Sequence, residues 1–181
     1  VESFWIFGYG SLMWRPGFDY EERNSAVLKG LHRALCVYSH VHRGTPEKPG
    51  LVMGLDRGGS CRGVAFRVRE ENWVQTLDYL RAREQVTMVY RETRRRVQLD
   101  GKDGRTVLAV TYVVERNHPQ YAGKLSLETQ LAYVLQGEGR SGRNPDYVLS
   151  TAEHLRELGF HDQALHWLAQ RLKTSGRARL G

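Results

Sequence analysis

FWIFGYGSLMW, residues 4–14, begins as a strand and then gives up its side chains. Phe4, Trp5, Ile6 and Phe7 are bulky residues that suit a pleated, packed surface, whereas Gly8-Tyr9-Gly10-Ser11 leaves much of the backbone bare. Leu12, Met13 and Trp14 then return at once to packing atoms. Consecutive backbone N–H groups around glycines form a concave nest that holds an anion, and a glycine such as Gly10 lets a ligand approach the chain closely. The segment lacks the Lys-Ser/Thr of a phosphate-binding loop and the third glycine and helix of a dinucleotide fold. Its likeness to the carbonyl filter of potassium channels fails without membrane helices. The competing reading is structural, a tight turn or bulge at the end of a strand.

Outward from this stretch, the first two thirds of the chain read mainly as strands. AVLKGLHRALCVYS (26–39), GLVMGLD (50–56), CRGVAFRV (61–68), VYRETRRRVQL (89–99) and TVLAVTYVV (106–114) are rich in β-branched and aromatic residues and bounded by Gly, Asp or Pro. Arg57-Gly58-Gly59-Ser60 predicts a hairpin turn between the second and third of these, and DGKDGR (100–105) predicts another. One helix interrupts them at 70–84, EENWVQTLDYLRARE. The last third turns helical, with Ser126 as an N-cap, Asn144 as an N-cap followed by Pro145 at the first helical position, Gly159 as a stop, and a further helix in DQALHWLAQRL. Strands followed by segregated helices predict an α+β fold, a small closed sheet with helices outside.

The 181 residues are 40% hydrophobic and 26% charged, enough for a real core, and one domain over 1–181 is the default. No apolar run approaches the roughly 18–20 residues that span a bilayer, and the expected location is cytoplasmic, with no membrane partner. Cys36 and Cys61 are too few for a disulfide framework and read as reduced, buried thiols. The net charge of +7 raises nucleic-acid binding as a possibility through counterion release. No recognition module accompanies the arginines, and a basic field equally attracts a small carboxylate-bearing molecule. RETRRRV (91–97) is the densest basic cluster, and its plain reading is a solvated face with Arg94 and Arg96 on one side of a strand and Arg95 on the other.

Within the helix at 70–84, Trp73, Leu77, Leu80 and Glu84 follow spacings of four, three and four, which puts them on one face. A carboxylate therefore ends an apolar stripe. If the stripe packs on the sheet, Glu84 is carried inward, where desolvation raises its pKa and the negative end of the helix pushes the same way. That is the profile of a general base and acid near neutral pH. The alternative is a partly exposed Glu84 paired with Arg81, Arg83 or an arginine of the next strand. His40 and His42 lack a third ligand for zinc. Cys36 sits in a core-like ALCVYS, and Ser11 lacks the glycine two positions later of a nucleophile elbow. Ser11 suits a hydrogen-bond donor better than a nucleophile.

The chain resembles the ChaC-type γ-glutamylcyclotransferases, which act on glutathione. FGYGSLMW is similar to their N-terminal substrate loop, and LDYLRARE to the segment carrying their catalytic glutamate. GLDRGGSCRGVAFRV (54–68) is similar to their central hairpin, and GRSGRNPDYV (139–148) to a later Gly-x-Ser-Gly-x-Asn-x-x-Tyr signature. The resemblance runs from about Phe4 to about Gly159, with the four motifs in order. It implies a small mixed β-barrel with flanking helices, a γ-glutamyl group held by Gly8, Tyr9, Gly10, Ser11, Leu12 and Met13, Glu84 as the acid/base residue, and Tyr147 closing over the substrate. It implies conversion of glutathione to 5-oxoproline and Cys-Gly with no cofactor and no metal. Two other functions remain open at this point: a cyclotransferase for other γ-glutamyl amides or amines, and a non-catalytic protein binding an acidic ligand or nucleic acid.

Overall fold

Trp5–Gly8 (β1) is buried along its whole length because it has a strand on either side and a helix above. It runs antiparallel to Gly50–Arg67 (β3), with Trp5 opposite Arg67 and Gly8 opposite Val64. On its other edge it runs parallel to Thr106–Val114 (β5), with Trp5 opposite Ala109. Glu22–Ser39 (β2) and Tyr90–Leu99 (β4) complete a closed five-stranded barrel in the order β1-β3-β2-β4-β5. The computed structural model describes residues 4–85, 88–101 and 104–178. The expected α+β class and mixed barrel are what the chain forms.

Alternation along β1 divides its side chains between two environments. Ile6 joins Trp73, Leu77 and Leu80 of Trp73–Glu84 (α1), together with Leu12, Val68, Val110 and Tyr112, in one buried cluster. Phe4 packs against the same cluster with its ring 5.1 Å from that of Trp73. The helical stripe seen in the sequence is thus the face that seats α1 on β1 and β5. A short 3-10 turn, Glu70–Asn72, precedes α1 in place of the first helical turn expected there.

The chain forms two compact units, one of residues up to Ala34 together with Met53–Tyr121, the other of Leu35–Val52 together with the chain from Ala122 onward. The second holds Leu127–Gln136 (α2), the two-residue strands Glu138–Gly139 (β6) and Gly142–Arg143 (β7), Asn144–Glu157 (α3) and Gln163–Ala178 (α4). Ser126 caps α2 as expected, its hydroxyl accepting from the Thr129 N–H at 3.2 Å, and Gly159 follows the end of α3. Strands β4 and β5 pair antiparallel from Tyr90 opposite Val114 to Gln98 opposite Thr106, the hairpin expected around 100–105, of which 102 and 103 lie outside the described residues.

Two expectations fail. The hairpin at Arg57–Ser60 does not exist: β3 continues unbroken through it. Gly58 and Gly59 have φ of +101° and +64°, and they bend the strand as a bulge does rather than reversing it. Gly30 of β2, at φ +91°, departs from regular strand as well, and the Gly58 carbonyl lies 3.0 Å from Nδ1 of His32. A closing barrel demands such coiling, and glycine supplies it. Asn144 is not an N-cap either. It is the first residue of α3, fully buried, and its amide takes both backbone groups of Leu51: Oδ1 accepts from the N–H at 2.8 Å and Nδ2 donates to the C=O at 2.9 Å. Two buried strand groups left unpaired would cost more than one helix-terminal N–H.

Candidate active site

Beyond Gly8 the chain turns through a single 3-10 turn, Ser11–Met13. Met13 N–H donates to Gly10 O at 2.9 Å and Arg15 N–H to Ser11 O at 2.7 Å. Leu12 and Met13 are buried beneath it, Trp14 is half-buried and Ser11 is exposed. Two arginines hold the carbonyls. Arg33 donates through Nε to Tyr9 O at 2.6 Å and through Nη2 to Arg62 O at 2.6 Å. Arg83 donates through Nη1 to Arg15 O at 2.8 Å and through Nη2 to the Ser11 hydroxyl at 2.8 Å.

The consequence is a polarity bias. Carbonyls along the loop are occupied by guanidinium and turn N–H groups, while the N–H groups of Gly10, Ser11 and Leu12 have no hydrogen-bond partner among the described residues. A loop with occupied acceptors and unused donors is suited to an anion. A Cβ added at Gly10 would meet nothing within 4 Å, whereas one at Gly8 would come within 2.9 Å of the Leu12 Cβ. Gly10 therefore borders open space and Gly8 is a packing position.

Glu84 closes α1, and its side chain is only 19% exposed. Burial raises its carboxyl pKa, and the neighbouring Arg83 pulls it partly back. The pairing is loose, with Nε of Arg83 lying 3.8 Å from Oε1 while the other guanidinium nitrogens are committed to the loop and to Tyr79. Arg81 points elsewhere, forming a bidentate pair with Glu92 of β4 at 2.9 Å for both bonds. Those hydrogen bonds hold the Glu92 carboxyl below its ordinary range. Tyr112 of β5 donates its hydroxyl to Glu92 at 2.9 Å, and burial, then that carboxylate, pushes its pKa up. Of the two readings of Glu84 open in the sequence, the inward one describes its burial and the paired one applies weakly.

Gly8 to Met13 and Glu84 thus lie in the first unit, bridged by Arg83. Tyr147 belongs to the second unit, on α3, half-buried with the Arg43 guanidinium 5.6 Å from its ring centroid. The signature around it is anchored there: the β6–β7 turn donates from Arg140 N to Val41 O at 2.8 Å, and the Ser141 hydroxyl lies 2.8 Å from Nδ1 of His42. Cys36 and Cys61 are buried and are not joined in a disulfide. Among the described residues no group of three or more His, Cys, Asp or Glu side chains is placed to hold a metal.

A cleft of 740 Å³ is lined by Phe18, Asp19, Tyr20, Glu21, Arg67, Arg69 and Asn72. Arg67 and Arg69 are already paired with Glu21 there, and neither Glu84 nor the glycine loop lines it. A desolvated ionisable group beside unused donors marks a candidate site on physical grounds that cleft volume alone does not supply. The sequence offers Arg83 only as a partner for Glu84 and carries no local sign of Arg33. Both act across long separations that no local pattern reveals.

The family model described as ChaC-like protein matches residues 4–175. The glutathione-specific γ-glutamylcyclotransferase of Escherichia coli is 38% identical, over 93% of this chain and 72% of that protein. The human glutathione-specific γ-glutamylcyclotransferase 1 is 32% identical over 93% and 77%. Among solved structures, a yeast γ-glutamyl cyclotransferase specific to glutathione superposes with a TM-score of 0.85, covering 96% of this chain and 97% of that one at 21% identity.

Proposed function

The chain belongs to the ChaC-like family, and from that premise we infer that it is a glutathione-specific γ-glutamylcyclotransferase, a carbon–nitrogen lyase releasing 5-oxoproline and Cys-Gly. The observation that carries the chemical side of this reading is Glu84, a desolvated carboxyl with a raised pKa, bridged by one guanidinium to a loop of unused N–H donors.

In the proposed mechanism the α-carboxylate of the γ-glutamyl group meets the N–H donors around Gly10, Ser11 and Leu12, with Gly8, Tyr9 and Met13 shaping the loop. The α-ammonium gives a proton to Glu84. Its nitrogen then attacks the γ-carbonyl carbon, forming the five-membered ring and an oxyanion. As that intermediate collapses the C–N bond to cysteine breaks, and Glu84 returns the proton to the leaving nitrogen, which is too basic to depart as an anion. The attacking nitrogen sheds two protons in all, and the leaving amine gains two by the time it is an ammonium. One carboxyl working in both directions closes this balance. The nucleophile is tethered to its electrophile, so the protein's main contribution is to hold the chain bent.

Tyr147 is proposed to offer its hydroxyl to the substrate, with support from its place in the GRSGRNPDYV signature. The 181 residues are proposed to act as one domain, a reading supported by the family match across 4–175 and by β2 and β3, which contribute to both units. No helix of the described residues is long and apolar enough to cross a membrane. A reducing compartment, the cytoplasm, is proposed on the strength of Cys36 and Cys61, two buried cysteines not joined in a disulfide.

Incubation with glutathione followed by detection of 5-oxoproline and Cys-Gly tests the activity. Absence of both at high enzyme concentration would remove the assignment. A panel including γ-glutamyl dipeptides tests the specificity, with glutathione expected to be preferred; equal turnover of the panel would replace it with a broader cyclotransferase.

A further inference from the structure

Arg83 is 22% exposed at its side chain, and its guanidinium reaches five groups: the Ser11 hydroxyl, the Arg15 and Pro16 carbonyls, the Tyr79 hydroxyl and the Glu84 carboxylate. Four of these are neutral acceptors, three of them on the loop after β1. The fifth is the group proposed to move protons. A planar fork of five N–H donors can bridge such a set, and the single ammonium of a lysine cannot. Arg33 grips the same loop from Tyr9 O and Arg62 O but makes no ion pair with Glu84.

We propose that Arg83 is a positioning residue with two separable effects: its fork fixes the Ser11–Pro16 segment so that the loop's N–H groups hold their direction, and its charge faces Glu84 and favours the ionised base. This rests on the function inferred above. The other groups bearing on Glu84 are few. Tyr112 of β5 lies close enough to interact with it electrostatically, and its hydroxyl is given to Glu92. Glu92 of β4 is neutralised by Arg81. From the loop, Ser11 contributes a neutral hydroxyl and Arg15 a backbone carbonyl. Arg83 is therefore the positive charge nearest the Glu84 carboxylate among the described ion pairs, and it is the side chain that links Glu84 to the loop.

The charge and the fork are separated by three variants, each followed by glutathione kinetics across pH and by the carbon-13 carboxyl titration of Glu84 in the free protein. Arg83→Met loses both effects. KM is expected to rise about tenfold or more, the worth of one charge-assisted hydrogen bond. The acidic limb of kcat/KM and the Glu84 titration are expected to move to higher pH, because a lost positive neighbour leaves burial unopposed. Arg83→Lys keeps the charge and loses the fork, so KM stays raised while limb and titration remain near those of the parent. Arg33→Met loosens the loop alone and raises KM without moving the titration.

An unmoved Glu84 titration in Arg83→Met overturns the electrostatic half. A parental KM in Arg83→Lys overturns the fork, and this variant decides the matter if the methionine variant does not fold. Lost activity that merely follows lost thermal stability, equally in all three, reduces Arg83 to a structural residue. If the parent itself turns over no glutathione, the assigned function fails, and the titration of Glu84 still decides on the coupling.

Discussion

Glu84 places stability and chemistry in opposition. Its folded carboxyl titrates above the ordinary value of 4.5 because burial disfavours the charge. A raised acid pKa contributes stability below the unfolded value, and that contribution is lost as pH rises through the folded one. Glu84→Gln is therefore expected to melt higher than the parent at pH 7, with the difference shrinking as pH falls through the raised folded value and smallest below about pH 4.5. The same variant is expected to lose about a hundredfold or more in kcat, the usual worth of a positioned proton carrier. A melting series across pH and a product assay check the two halves, and retained turnover would take the proton-carrying role away from Glu84. How much of this residue was legible follows from its spacing. Trp73, Leu77 and Leu80 announce a buried face, and Glu84 continues it. Arg83 was not legible as a loop clamp, because Ser11 lies 72 positions away and nothing local marks the pair.

Among the elements, β3 shows where reading by turn residues goes wrong. Arg-Gly-Gly-Ser between two β-rich runs looks like a hairpin, yet positive φ at two glycines also serves a strand that must bend and go on. Gly58→Val is expected to cost about 1–3 kcal/mol, since a β-branched residue at φ +101° is strained; urea unfolding measures it, and an unchanged midpoint would contradict that conformation. Asn144 was misread for a related reason. Asn before Pro matches a helix start, but the buried partner, Leu51, lies 93 residues earlier. Asn144→Leu strands a donor and an acceptor of β3 together and is expected to cost about 2–5 kcal/mol. Near-neutral stability in that variant would mean the two Leu51 groups find other partners. The elements themselves, the two-residue β6 and β7 and the continuity of β3 aside, were readable from composition and period. What two of their punctuating residues do was not, because it depends on neighbours distant in sequence.

For the whole molecule, the excess of 27 Lys and Arg over 20 Asp and Glu bears on encounter with an anionic tripeptide. Raising NaCl from about 20 mM to about 500 mM is expected to lower kcat/KM several-fold while kcat holds, because salt screens long-range attraction much more than short-range contacts with bound substrate. A salt-independent kcat/KM would confine the charge to local ion pairs. The barrel imposes a different constraint, one of time. Its seam is the parallel pairing of Trp5 with Ala109, so the first strand has no partner on that edge until the fifth has been made. Contacts at such separation are formed late and slowly, and a chain emerging from the ribosome adds only about 5–20 residues per second. For several seconds of every synthesis β1 and the glycine loop behind it wait with one edge open. A nascent chain halted before Thr106 holds every loop residue and Glu84, and it is expected to be inert and to bind chaperones.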